Sequence, residues 1–270
     1  MMAAKKTTKE MYIVGNWKMN PAAAEEARAL AGALRSGLGK TDVRVVVCPP
    51  YPFIPIVGEG RGPAFELGGQ DCSVHAEGAH TGEVSASMLA DLGCSYVIVG
   101  HSERRGAGET DETVNRKVKA ALKAGLRPII AIGEKSRDSF DASGRFTAEL
   151  DPIIKEQLAA ALAGVSAQKA RSVIVAYEPV WAIGTGQSAQ PDDVFSVRIF
   201  LQKALRELYD VSTEASIPIL YGGSTNADSD ALLEHSGVDG FLVGGSSLKA
   251  DEFVAMVADA SRIGSQRASS

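Results

Sequence analysis

Apolar residues recur along this chain with two alternating periods. Short β-rich runs, several of them apolar at nearly every position, fall at 11–16 (MYIVGN), 43–48 (VRVVVC), 65–70 (FELGGQ), 95–100 (SYVIVG), 127–132 (RPIIAI), 172–177 (SVIVAY), 217–222 (IPILYG) and 240–245 (GFLVGG). Near-continuous runs of this length, rather than clean alternation, predict parallel strands buried on both faces. Between the runs the period lengthens to that of a helix. Over 191–209, Val194, Val197, Leu201, Leu205 and Leu208 form one stripe, with Arg198, Gln202 and Arg206 elsewhere around the helix. Thr110 reads as the N-cap of a helix through Val114, Val118 and Leu122 that stops at Gly125. Two further helical stretches, rich in Ala and Leu, cover 22–38 and 148–163.

Eight β runs alternating with helices, with no Pro/Gly/Ser-rich linker between them, suggest a single (β/α)8 barrel of the usual length, about 250 residues. An open doubly wound sheet fits the same alternation, because one miscounted strand separates the two. The expected organisation is one domain over 11–263, with a tail at 1–10 and another at 264–270.

Composition narrows the function classes. The 270 residues are 45% hydrophobic and 23% charged, with a net charge of −5, as in an ordinary soluble globular protein. That balance lacks the basic footprint of a nucleic-acid binder. No run approaches the roughly 18 apolar residues of a membrane span, and MMAAKKTTKE lacks the apolar centre of a secretory signal. Cys48, Cys72 and Cys94 are odd in number and far apart, which suits reduced thiols in the cytoplasm better than disulfides or a zinc site. No metal is expected.

Both α/β architectures gather ligands at the carboxyl ends of their strands, and here those ends carry chemistry. The first run ends in Asn16-Trp17-Lys18, the fourth in His101-Ser102-Glu103-Arg104-Arg105, and the sixth in Glu178. The last two end in Gly222-Gly223-Ser224 and Gly244-Gly245-Ser246. Paired glycines let backbone N–H groups approach an anion, so the last two ends read as a phosphate cradle. Lys18 would offset charge on the bound substrate. A neutral imidazole at His101 could polarise a carbonyl and move a proton between adjacent oxygens. Partial desolvation beside Tyr177, Trp181 and Ile183 would strengthen Glu178 as a base. Glu103, Arg104 and Arg105 read as a salt-bridge cluster supporting their loop. The combination describes proton abstraction next to the carbonyl of a phosphorylated sugar. A GxGxxG after the first strand and a Gly-x-Ser-x-Gly elbow are both missing from the sequence.

These residues, taken as motifs, closely resemble triosephosphate isomerase. NWKMN at 16–20, VGHSERR at 99–105, AYEPVWAIGTG at 176–186, YGGS at 221–224 and GFLVGGSSL at 240–248 match in order, joined by GAHTGE at 78–83 and IGE at 132–134. The likeness runs from about residue 12 to 257, and it favours the barrel. It implies that Glu178 is the base, His101 the neutral electrophile and Lys18 the cation, with Asn16 positioning both substrate and Lys18. It assigns phosphate binding to Gly184, Ser224, Gly244 and Gly245. The Ser102 hydroxyl would hold the resting base, and Glu103 would lie beside Lys18. Pro179, Val180, Trp181, Ala182, Ile183, Gly184, Thr185 and Gly186 would form a closing lid. The Glu base, the neutral His and lid closure are known features of the family and are carried over from it.

The family resemblance further implies no cofactor, a cytoplasmic enzyme, and a homodimer in which the loop around Thr81 reaches the neighbouring site near Asn16 and Met19. Three places depart from the common pattern: Gln187-Ser188-Ala189 at the far lid hinge, where Lys-Thr-Ala is frequent; Ala131, where Cys is frequent; and Thr225, where Val is frequent. An isomerase of a four-carbon ketose phosphate and a catalytically silent sugar-phosphate binder remain alternative readings.

Overall fold

The computed structural model describes residues 10–60, 62–136, 152–182, 189–225 and 229–269. In chain order the elements are β1 (Tyr12–Asn16), α1 (Ala24–Gly37), β2 (Arg44–Cys48), α2 (Ile54–Gly58), β3 (Glu66–Gly69), α3 (Ala86–Asp91), β4 (Cys94–Val99), α4 (Ser102–Gly106), α5 (Asp111–Lys123) and β5 (Arg127–Ile132). They continue with α6 (Pro152–Leu162), α7 (Ala167–Ala170), β6 (Ile174–Tyr177), α8 (Pro191–Leu208), α9 (Val211–Ser216), β7 (Ile219–Tyr221), α10 (Asp230–Ser236), β8 (Gly240–Val243) and α11 (Ala250–Ser269). The eight strands are parallel, pair in sequence order, and close where β1 pairs with β8 (Tyr12 opposite Gly240). The fold is a (β/α)8 barrel, not an open sheet.

Closure explains the unbroken apolar runs. Val14, Val46, Ile98, Ile129, Ile174 and Leu242 fill the barrel interior. Their neighbours Ile13, Val45, Val97, Ile130, Val175 and Val243 face the outer helices, so both faces of each strand are buried. Helix ends follow local chemistry. The Thr110 hydroxyl accepts from Thr113 N–H at 3.2 Å, and Gly125 takes a φ of +82° just past α5, as the sequence anticipates.

The amino ends of the strands are sealed. The Arg127 guanidinium lies 5.5 Å from the ring centres of both Tyr12 and Tyr96 and donates to Tyr12 Oη at 2.8 Å. Glu10 ties Tyr12 (2.9 Å) to Arg44 (2.9 Å), so this last residue of the expected N-terminal tail is anchored, while 1–9 lie outside the described residues.

The C-terminal end departs from expectation. Residues 264–269 continue α11 rather than forming a tail. Small and polar residues there resemble a frayed end, but the Arg267 guanidinium reaches back and donates to the Val238 carbonyl at 2.8 Å and to the Leu233 carbonyl. Those long-range bonds anchor the last turns.

Candidate active site

The open end of the barrel collects the polar strand ends. At the end of β1, the Asn16 side-chain oxygen accepts from Lys18 N–H at 3.0 Å. Lys18 has a φ of +52°, the one left-handed conformation outside glycine among the described residues. Such a backbone costs on the order of 1–3 kcal/mol and persists where its surroundings hold it. Here Gln70, just past β3, donates its amide to both the Lys18 carbonyl (2.8 Å) and the Cys48 carbonyl (2.9 Å). The Lys18 ammonium then meets Glu103 Oε1 at 2.6 Å. Burial pushes the Glu103 carboxyl up, but the hydrogen bond and charge of Lys18 outweigh it and hold the group below its ordinary range.

His101 and Glu178 face one another across β4 and β6. His101 caps α4, its Nδ1 accepting from Glu103 N–H at 3.1 Å. An accepting Nδ1 carries no proton, so the neutral ring bears its hydrogen on Nε2. That nitrogen lies 3.1 Å from Glu178 Oε1. The other carboxylate oxygen accepts from Ser102 N–H at 2.9 Å. Ser102 therefore holds the glutamate through its backbone, not through the hydroxyl that the family resemblance suggests. Only 2% of Glu178 is exposed and 6% of His101, so their contact is largely shielded from water. Neighbouring glycines make room for this: a Cβ on Gly222 would stand 2.9 Å from Glu178 Cγ, and one on Gly133 would overlap the Glu178 carbonyl.

The ends of β7 and β8 are joined to each other, since Ser246 Oγ donates to the Thr225 carbonyl at 3.0 Å. A Cβ on Gly244 would point at Lys18 Cε, 3.6 Å away, whereas one on Gly245 would meet nothing within 4 Å. The glycine pair thus opens beside the lysine. Ser224 Oγ donates to the Ala182 carbonyl at 2.8 Å, linking the β7 end to the segment after β6.

That segment begins as a single 3-10 turn, Val180–Ala182, after Glu178 and Pro179. Val180 N–H donates to the Glu134 carbonyl at 3.1 Å. Trp181 Nε1 and Tyr177 Oη both donate to Glu134 Oε1, each at 2.7 Å. Burial, then the Glu134 carboxylate, pushes the Tyr177 phenol well up, which keeps it a donor. Ile183, Gly184, Thr185, Gly186, Gln187 and Ser188 lie outside the described residues. On their far side, Ala189 N–H donates to Tyr221 Oη at 3.3 Å.

A cleft of about 530 Å³ opens beside Asn16, Lys18, His101 and Glu103 and continues along Asp71 and Lys117. In it Lys117 bridges Asp71 (2.6 Å) and Glu109, and Arg104 joins Asp71 at 3.1 Å; outside it Arg105 joins Asp111 at 2.5 Å. The supporting salt-bridge cluster is present, but with partners the sequence did not reveal. Met19 (92% exposed) and Thr81 sit on the surface. Among the described residues, no group of three or more His, Cys, Asp or Glu side chains is placed to hold a metal ion.

Gln70, Glu134 and Tyr221 are supporting residues to which sequence reasoning gave no role. Each acts through a contact distant in the chain. Their shared signal is position at a strand's carboxyl end.

A closed parallel barrel whose carboxyl-end loops hold a shielded carboxylate–imidazole pair, beside a lysine and an open glycine pair, has the architecture of a (β/α)8 enzyme. The sequence pattern of triosephosphate isomerase matches residues 11–260. Proteins named triosephosphate isomerase from Alkaliphilus oremlandii and Moorella thermoacetica are 43% and 45% identical to it, covering 91% of this chain and 97% and 96% of theirs. One from a Roseiflexus strain is 44% identical over 91% of this chain and 95% of its own length. The chain belongs to the triosephosphate isomerase family.

Proposed function

We propose that this protein interconverts dihydroxyacetone phosphate and D-glyceraldehyde 3-phosphate through an enediolate, with Glu178 as the proton carrier. The observation that carries this reading is the shielded contact between Glu178 Oε1 and His101 Nε2, 3.1 Å, at the mouth of the barrel. A base and a neutral donor so placed can act on a carbon and its neighbouring oxygens together.

Glu178 takes a proton from the carbon between carbonyl and hydroxyl. The C–H electron pair moves into the new carbon–carbon double bond, and the carbonyl π pair moves onto oxygen. The His101 Nε2–H stabilises that oxygen, and Lys18 offsets its growing charge. A proton passes between the two oxygens by way of His101, and Glu178 returns its proton to the adjacent carbon, which leaves the isomer. Asn16 orients Lys18. Backbone N–H groups of Gly184, Gly244 and Gly245, with Ser224, hold the phosphate, and the lid over 179–186 excludes water. Ser102 and Glu103 hold the resting base and the lysine.

The family membership further supports a homodimer, in which Thr81 of one copy approaches Asn16 and Met19 of the other, in the cytoplasm. No helix among the described residues is long and apolar enough to cross a membrane. A coupled assay with either triose phosphate tests the reading. Turnover in both directions is expected, and its absence from pure, folded protein overturns the proposal.

A further inference from the structure

The last residue of β5, Ile132, and the two that follow it, Gly133 and Glu134, run alongside Glu178. Glu178 N–H donates to the Ile132 carbonyl at 2.8 Å and Val180 N–H to the Glu134 carbonyl at 3.1 Å. The β5–β6 ladder thus extends beyond the last strand residues and holds the backbone on either side of Pro179. Gly133 lies between these two bonds, so close that it tolerates no side chain against the Glu178 carbonyl.

Gly133's own peptide groups are held from α6. The Gln157 carboxamide accepts from Gly133 N–H at 2.9 Å and donates to the Gly133 carbonyl at 3.3 Å. Gln157 is 7% exposed, and its helix otherwise buries Ile154, Leu158, Ala161 and Leu162. A polar side chain in that company is costly unless both its ends are satisfied, and one residue's backbone satisfies them here. A carboxamide can accept and donate in this fork, whereas a carboxylate can only accept. A cavity of about 230 Å³ borders Gln157, Gly133, Glu178 and Val180, which leaves the segment room to shift without the clamp.

We propose that Gln157 is a positioning residue for the isomerisation, fixing the Gly133 peptide and, through it, the placement of Glu178 against the reacting carbon. The proposal rests on the reading of Glu178 as the base. It separates two functions in space: α6 sets the geometry of proton transfer, and the β7 and β8 ends set phosphate affinity.

Two substitutions test this, compared with wild type and Glu178→Gln. Gln157→Leu fills similar volume and removes both bonds. The expected result is a kcat lower by on the order of tenfold to a hundredfold, the scale of a small misplacement of a reacting group. KM and competitive inhibition by inorganic phosphate should stay within about twofold. In Gln157→Glu, a carboxylate keeps the bond from Gly133 N–H but loses the donor; once protonated it restores both bonds. Its kcat relative to wild type at the same pH should therefore recover as pH falls.

An unchanged kcat in folded Gln157→Leu overturns the proposal, as does an equal loss of phosphate binding or a flat Gln157→Glu ratio. Should Gln157→Leu be recovered only unfolded, the Gln157→Glu pH series decides alone. Loss of turnover in Glu178→Gln together with full turnover in Gln157→Leu overturns the clamp and spares the base. No turnover in wild type, or full turnover in Glu178→Gln, overturns both.

Discussion

At the scale of single residues, Glu178 has one oxygen on His101 and the other on the Ser102 amide, both at hydrogen-bond distance. Replacing it with Gln preserves shape and removes the proton acceptor. We expect Glu178→Gln to lower kcat by about 10²–10⁴-fold, the range for a positioned proton-transfer group. Inhibition by inorganic phosphate should change by less than about tenfold, because the phosphate cradle is assigned to other residues. Steady-state kinetics with phosphate as competitor measure both numbers, and a parallel loss of the two contradicts the division of labour. Glu178, His101 and Lys18 were legible in the sequence because a strand's direction aims its last residues at the mouth. The bonds made by Ser102 and Gln70 were not. Whether a serine acts through its hydroxyl or its amide depends on where the helix after it begins, and Gln70 acts on carbonyls 52 and 22 positions away in the chain.

Among elements, the strands were legible to within two residues, because most are buried on both faces and announce themselves as near-continuous apolar runs. The long helices α1, α5 and α8 were visible by period. Short ones such as α3, α4, α9 and α10 are too brief to show a period and were not. The end of α11 was obscured by its composition, since its anchor is Arg267 bound to the carbonyls of Val238 and Leu233. Arg267→Met keeps most of the apolar stem and leaves those acceptors without the guanidinium. A loss of roughly 1–3 kcal/mol in unfolding free energy is expected, with kcat unchanged; denaturant titration measures it, and an unaltered midpoint would show that the last turns are not anchored. The segment after β6 offers a second test. Tyr221 Oη accepts from Ala189 N–H at 3.3 Å, at the far edge of the proposed lid. Tyr221→Phe leaves that buried amide without its acceptor, which costs on the order of 1 kcal/mol. If the bond steadies the lid, KM for triose phosphate should rise several-fold, about what that energy allows, while the same loss lowers the melting temperature by only about 2–4 °C. An unchanged KM would place the bond outside lid function.

For the molecule as a whole, burial ties the tyrosines to the fold. All six phenols, at positions 12, 51, 96, 177, 209 and 221, are held above the ordinary value near 10, with burial the leading cause in each. Tyr221 is pushed up to about 12. Lys117 is also held above its ordinary value: burial opposes its charge, but Asp71 and Glu109 outweigh that. Both kinds of group act in the same direction. Between about pH 10 and the raised values, an unfolded chain releases protons that the folded chain retains. The stability that these groups contribute is therefore intact below about pH 10 and is lost as pH climbs through the raised values. Phenolate absorbance and far-ultraviolet circular dichroism, followed together in an alkaline titration, measure this. The two signals should change in one cooperative step displaced above the free tyrosine range. Smooth ionisation near pH 10 of a protein that keeps its dichroism would show that the barrel does not shield these rings, and that their raised values do not bear on its stability.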